Sequence, residues 1–212
     1  MSSPLAQGPR LVAIAGPSGS GKSHLAQQMA QILDDAATLV SQDDFYRDLA
    51  HLPIEAREQQ DFDVPTTIDW ATLLTTLGRL RESRAASIPR YDHATHTREP
   101  GYRIQGSKPI VIFEGLWLFH TRALGRLFDL TLYLDCPRSI RLQRRIQRDT
   151  ASRDRSPESI ETQFFGQVVP SEEKWVFPQK ECAMKCLLSP VEPSTVDQIV
   201  RDLAPPGPNH TP

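Results

Sequence analysis

Apolar residues gather in short runs at 11–15, 37–41, 109–113 and 130–134, most of them rich in β-branched or aromatic side chains. Runs of that length and makeup predict strands buried on both faces, as in a parallel sheet. Between them the apolar spacing shifts to a helical period over 22–33, 67–81 and 137–148. The alternation reads as an α/β fold with helices on both faces of the sheet. A weaker unit at 185–188 and 195–203 adds an edge strand and a closing helix, making five strands. Two helix starts carry explicit chemistry: Thr67 as a cap before Leu73, Leu74 and Leu77, and Ser156 followed by Pro157 and Glu158. Residues 88–105 break the alternation, because Pro89, Pro100 and Gly101 lie between two short β-like pieces at 88–91 and 102–105. That segment predicts a small β-hairpin insertion over the sheet edge. No internal repeat is found. Proline and glycine crowd both ends, so 1–9 and 204–212 read as disordered tails around a single domain at 10–203.

Composition narrows the purpose of such a fold. A hydrophobic share of 39% suffices for a packed core, and a net charge of −2 makes wrapping nucleic acid an improbable role. No apolar run approaches the roughly 18 residues that span a bilayer, and the opening Met1-Ser2-Ser3-Pro4 lacks a cationic leader. The expectation is a cytoplasmic protein without membrane contact. Three cysteines, Cys136, Cys182 and Cys186, fit reduced thiols better than a disulfide framework.

Residues 16–23 read Gly-Pro-Ser-Gly-Ser-Gly-Lys-Ser, a complete G-x-x-x-x-G-K-[ST] phosphate loop (P-loop) after a predicted strand and before a predicted helix. Gly16, Gly19 and Gly21 let the backbone curl, so that amides around Ser18 and Ser20 face one anion at the positive end of the helix. Lys22 then neutralises β- and γ-phosphate oxygens, and Ser23 offers a hydroxyl to Mg²⁺. The loop specifies a nucleotide, not a reaction. No Asn-Lys-x-Asp guanine reader is present.

Gln42-Asp43-Asp44-Phe45-Tyr46 follows the second strand, whose carboxyl end opens onto the ligand crevice. Either aspartate can face the phosphates there, align an acceptor hydroxyl and take its proton late in phosphoryl transfer. Glu114 ends a buried run and needs a partner, for which water-bound Mg²⁺ is the natural choice. Arg141, Arg144, Arg145 and Arg148 recur at three- and four-residue steps along one helical face, with Arg153 and Arg155 beyond. Such crowding favours a polyphosphate partner and reads as an Arg-rich lid over 141–156 that closes on the nucleotide. The competing reading, for Arg141 and Arg144 above all, is a solvated basic face paired with Asp149 and Asp154.

Several segments together resemble the uridine/cytidine kinases. They are the phosphate loop, residues 41–47 (Ser-Gln-Asp-Asp-Phe-Tyr-Arg), 61–65 (Asp-Phe-Asp-Val-Pro), 89–98 (Pro-Arg-Tyr-Asp-His-Ala-Thr-His-Thr-Arg), 113–115 (Phe-Glu-Gly) and 144–149 (Arg-Arg-Ile-Gln-Arg-Asp). The resemblance spans roughly residues 10–183 and implies a P-loop NTPase-type fold. It also implies ATP- or GTP-dependent, Mg²⁺-assisted phosphorylation of the 5′-hydroxyl of a pyrimidine ribonucleoside, a reaction of pyrimidine salvage. By this resemblance Asp43 is the catalytic carboxylate and a metal ligand with Ser23 and Glu114, Lys22 serves the phosphates, and Arg148, Arg153 and Arg155 serve the phosphates or the lid. It further implies that Asp63 and Arg145 hold ribose hydroxyls, that Tyr91 and His96 meet the base edge, that Phe62 and His93 line the base pocket, and that Gln163 adds a nucleoside contact. Asp44 stands where many relatives have serine. No arginine stands in the turn after 183–190, where the family has a Pro-Arg-Gly-like turn. Relatives are often tetrameric, so a homo-oligomer stays open. Two other readings remain: a kinase for nicotinamide riboside, pantothenate or ribulose phosphate, and a non-catalytic ATP sensor.

Overall fold

The computed structural model describes residues 8–153 and 155–203, the side chains of Pro100, Ile104, Ser152 and Arg153 excepted. In chain order, β1 (Arg10–Ala15) leads through the phosphate loop into α1 (Lys22–Leu33), then β2 (Ala37–Ser41), α2 (Ile54–Glu58) and α3 (Trp70–Arg81). A hairpin of β3 (Ala86–Asp92) and β4 (Thr97–Gln105) precedes β5 (Ile110–Gly115), α4 (Arg122–Gly125), β6 (Leu130–Asp135) and α5 (Arg138–Arg153). The chain closes with α6 (Pro157–Gln163), α7 (Val169–Trp175), β7 (Lys185–Leu188) and α8 (Pro193–Leu203).

The five-stranded sheet has the order β2-β5-β1-β6-β7 and is parallel throughout. Alternate residues of β1 divide between two cores, as the pleat requires. Leu11 and Ala13 join Val111, Phe113, Leu73, Leu77 and Trp117 on one face, whereas Val12 and Ile14 join Leu25, Met29, Leu132, Val196 and Ile199 on the other. Burial on both faces explains why the strands read as unbroken apolar runs. Connections leave β1 toward β2 on one side and later cross to β6 on the other, and such a reversal opens a crevice at the carboxyl ends of the strands. The hairpin forms its own two-stranded sheet beside the β2 edge, where Thr38 Oγ1 donates to the Gly106 carbonyl (3.0 Å).

Two expectations need correction. The cap of α3 is Asp69, which accepts from the Thr72 amide at 3.1 Å, not Thr67, whose hydroxyl donates to the Val64 carbonyl. A carboxylate next to the first helical turn satisfies a free amide directly, so the helix starts at Trp70. Pro9 is buried and belongs to the fold, although composition put it in the N-terminal tail. Gly8 is described and exposed, and the other tail residues, 1–7 and 204–212, lie outside the described residues. Ser156 does cap α6, accepting from the Ser159 amide, with Pro157 at the first position. Beyond Gln163 the chain continues through a π-helical turn, Phe164–Val168, into α7. Pro170 has no N–H, and its ring presses on the carbonyl four residues back, that of Gly166, which favours a wide turn there. No helix of the described residues is long and apolar enough to cross a membrane.

Candidate active site

The phosphate loop joins β1 to α1 through positive backbone φ values at Gly19 (79°) and Gly21 (97°), conformations that side chains disfavour. Its groups face a cavity of about 950 Å³ at the carboxyl ends of the strands. Ser18, Gly19, Gly21, Lys22 and Ser23 line it, as do Asp43, Glu114, Phe62, Asp63, His93, His96, Arg145, Arg148, Arg155 and Gln163. Gly16, Ser20 and Tyr91 do not line it, and the Arg153 side chain lies outside the described residues.

Glu114 sits at the end of β5, opposite Ser41 at the end of β2. Its carboxylate accepts from Ser23 Oγ (3.0 Å) and Ser41 Oγ (2.6 Å). Burial, and then the nearby Asp43 charge, push the Glu114 carboxyl above the usual carboxylate range, against the pull of Lys22 and the two hydroxyls. Burial pulls the Lys22 ammonium below its ordinary value, while Glu114 and Asp43 hold it up. Lys22 Nζ donates to the Pro17 carbonyl at 3.0 Å.

The two adjacent aspartates point to different places. Ser41 Oγ accepts from the Asp43 amide (3.3 Å) at the start of a 3₁₀ turn, and Asp43 is exposed in the cavity. Asp44 instead accepts from Arg103 Nη2 of the hairpin (3.3 Å) and has no place in the lining.

Across the cavity, the loop after β2, the residues before α3 and the hairpin turn bring aromatic rings together. Phe62 and His96 stack at 4.3 Å between centroids with a 15° interplanar angle. Tyr46 meets Phe62, Tyr91 and His93 at 6.0, 5.2 and 5.9 Å. Tyr91 packs behind this group, and burial pushes its phenol up to about 12. Its hydroxyl is buried without a hydrogen-bond partner among the described residues. Arg98 braces the hairpin, donating to the Tyr46 carbonyl (3.1 Å) and to Asp69 Oδ2 (3.1 Å).

Asp63 and Arg145 face one another electrostatically. Burial pushes the Asp63 carboxyl up to about 6, while Arg145 pulls it down. Arg145 donates to Ser18 Oγ (2.9 Å) and Gln163 Oε1 (3.3 Å), and Arg155 Nη1 donates to the same Gln163 oxygen (2.5 Å). Arg148 Nε donates to the buried Asp149 (2.7 Å).

Arg141 is neither lid nor solvated face. It is 1% exposed and bonded to Glu172 of α7 at 2.7 Å. Arg144 Nη1 donates to the Gly19 and Ser20 carbonyls and to Ser189 Oγ, each at 3.1 Å. The arginine face therefore holds the loop in place as well as lining the cavity. Sequence reasoning missed Tyr46, which stood in a quoted motif without a role, and Glu172, for which the sequence offers no signal.

Fold, loop and arginine-lined cavity define a P-loop phosphotransferase. The profile of the Phosphoribulokinase / Uridine kinase family matches residues 11–187, and the chain belongs to that family. It is similar to a uridine kinase of Chloroflexus aggregans, 35% identical over 82% of this chain and 84% of that one. A uridine kinase of Brevibacillus brevis is 34% identical over 82% of each chain. Among solved structures, phosphoribulokinase from Rhodobacter spheroides shares the fold with a TM-score of 0.61 at 17% identity, covering 88% of this chain and 73% of that one.

Proposed function

We propose that the chain transfers the γ-phosphoryl group of ATP to the 5′-hydroxyl of a pyrimidine ribonucleoside, uridine or cytidine, giving the 5′-monophosphate and ADP. The observation that carries this reading is one cavity with a phosphate loop on one wall and, on the other, a ring cluster beside a carboxylate–guanidinium pair. Such a pair suits a ribose diol, and rings with polar edges suit a base. The kinship with uridine kinases supports the same acceptor.

Asp43 orients the acceptor hydroxyl and takes its proton late, as a loose transition state requires. Lys22 and the loop stabilise charge on the transferred phosphoryl, and Arg148 and Arg155 shield it from water. Asp63 and Arg145 hold the ribose, with Gln163 behind them. Phe62, His93 and His96 take the base, and Tyr91, outside the lining, backs Tyr46 and His93 rather than meeting the base edge. The Phe62–His96 stack opens to admit it.

Ser23, Glu114 and Asp43 fit Mg²⁺, which favours one or two carboxylates, a hydroxyl and phosphate oxygens. The fit rests on the two hydroxyl donors that keep the buried Glu114 carboxylate aimed at the loop. When bound, the ion would neutralise charge on the β- and γ-phosphates.

The test is ADP release with uridine, cytidine, adenosine, nicotinamide riboside, pantothenate or ribulose 5-phosphate as acceptor. Turnover with uridine or cytidine at least tenfold above the others is expected. Equal turnover on purine nucleosides would overturn the base-pocket assignment.

A further inference from the structure

Behind the phosphate loop lies an ion pair that the chemistry above does not use. Arg141 of α5 and Glu172 of α7 are 1% and 3% exposed, and Arg141 Nη1 donates to both Glu172 oxygens at 2.9 and 2.7 Å. A buried ion pair is a weak source of stability, because desolvation offsets its attraction. What this one touches is therefore the better guide to its role.

Both members converge on a single residue of the loop. The Ser18 amide donates to Glu172 Oε1 (2.8 Å), and the Ser18 carbonyl accepts from Arg141 Nη1 (3.3 Å). The Ser18 hydroxyl accepts from Arg145 Nη1 (2.9 Å). Every polar group of Ser18 is thus held from outside the loop. The neighbouring Glu173 faces outward to Arg138 (3.2 Å), so the inward carboxylate is specific to position 172.

We propose that Glu172 is a positioning residue for phosphoryl transfer: as a buried acceptor for the Ser18 amide, with Arg141 as its counter-ion, it fixes the conformation of the phosphate loop. The inference rests on the phosphoryl-transfer reading, though not on the identity of the acceptor. Arg145 reaches Ser18 and Gln163 from one guanidinium, so the fixed loop shares a joint with the acceptor wall. A displacement of about 1 Å among reacting groups can cost a hundredfold in rate. A carboxylate that holds the loop still therefore acts on turnover without touching substrate.

Two double variants separate positioning from bulk stability. Arg141→Met with Glu172→Gln keeps an oxygen for the Ser18 amide, whereas Arg141→Met with Glu172→Leu removes it, and both remove the buried charges. The Gln form should keep kcat within about threefold of wild type, and the Leu form should lose roughly tenfold or more, each with little change in the uridine KM. Equal kcat in the two forms would overturn the proposal. Should either fail to fold, Glu172→Asp decides: the charge stays, the reach shortens by one methylene, and a kcat loss of about fivefold or more is expected. Wild-type kcat in that variant would overturn the proposal. Affinity of the same variants for a non-hydrolysable ATP analogue, by calorimetry, keeps the test independent of the acceptor. Weaker binding in the Leu form than in the Gln form is the expected result there, and equal binding would overturn it. Absence of wild-type turnover with uridine would count against the acceptor alone.

Discussion

On the phosphate wall the ligand-facing groups come from one short segment, residues 18–23, whose placement follows from a strand, a glycine turn and a helix. On the acceptor wall they are side chains from the loop after β2, the stretch before α3, the hairpin turn, α5 and α6, far apart in sequence. The first wall is fixed by local backbone geometry and the second by packing between distant elements. Single substitutions should therefore abolish chemistry at one wall and retune affinity at the other.

The largest expected effect is at the phosphate wall. Lys22→Ala should reduce turnover roughly a thousandfold, in the range of losing a preorganised charge at a developing anion, as read by ADP release. A loss below tenfold would mean that the loop amides suffice. Next, Asp43→Asn should lower turnover about a hundredfold with ATP affinity nearly intact, the usual scale of a general base. Asp44→Asn, whose carboxylate faces Arg103, should change turnover by less than about fivefold, and the opposite ranking would exchange the two roles.

At the acceptor wall, His96→Ala should raise the uridine KM by about tenfold while kcat moves little, the size expected for one stacked ring pair and its polar edge. The pH dependence sharpens the contrast further. With the Asp63 carboxyl near 6, its charged form is lost as pH falls through that value, so the uridine KM should climb below about pH 6. A flat profile from pH 5 to 8 would remove Asp63 from ribose binding.

The smallest effect concerns stability. Asp63 binds its proton more tightly in the fold, near 6, than at its ordinary 3.8. Its stabilising contribution is therefore fully present below about 3.8 and lost as pH rises through 6. At neutral pH the charge costs stability, so Asp63→Asn should raise the melting temperature by a few degrees even as it weakens acceptor binding. An unchanged or lower melting temperature would break that trade-off.

The same division explains what could be read from sequence. The strands, α1 and the loop were legible because apolar runs and glycines act locally, and the start of α6 was legible through Ser156 and Pro157. Which of Asp43 and Asp44 faces the cavity was open on residue chemistry and chosen through the resemblance alone, since Asp44 is held by Arg103, 59 residues away in the hairpin. The burial of Arg141 escaped notice because its partner, Glu172, lies on a helix that Gly166 and Pro170 disguise. Tyr91 was legible as part of a motif, yet its position behind Tyr46 depends on how three segments pack.

The wide turn at Phe164–Val168 has an angular consequence. From Gln163 to Glu172 is nine residues, about two and a half turns of a regular α-helix, which would set the two on opposite sides. Here the Val169 amide donates to the Phe164 carbonyl five residues back, so the segment lags in phase and Glu172 swings round to Ser18 while Glu173 meets Arg138. A full-length chain wound evenly here would turn Glu172 away from the loop, whereas one shortened by a residue between 164 and 168 would regain even winding and keep that carboxylate on the same side.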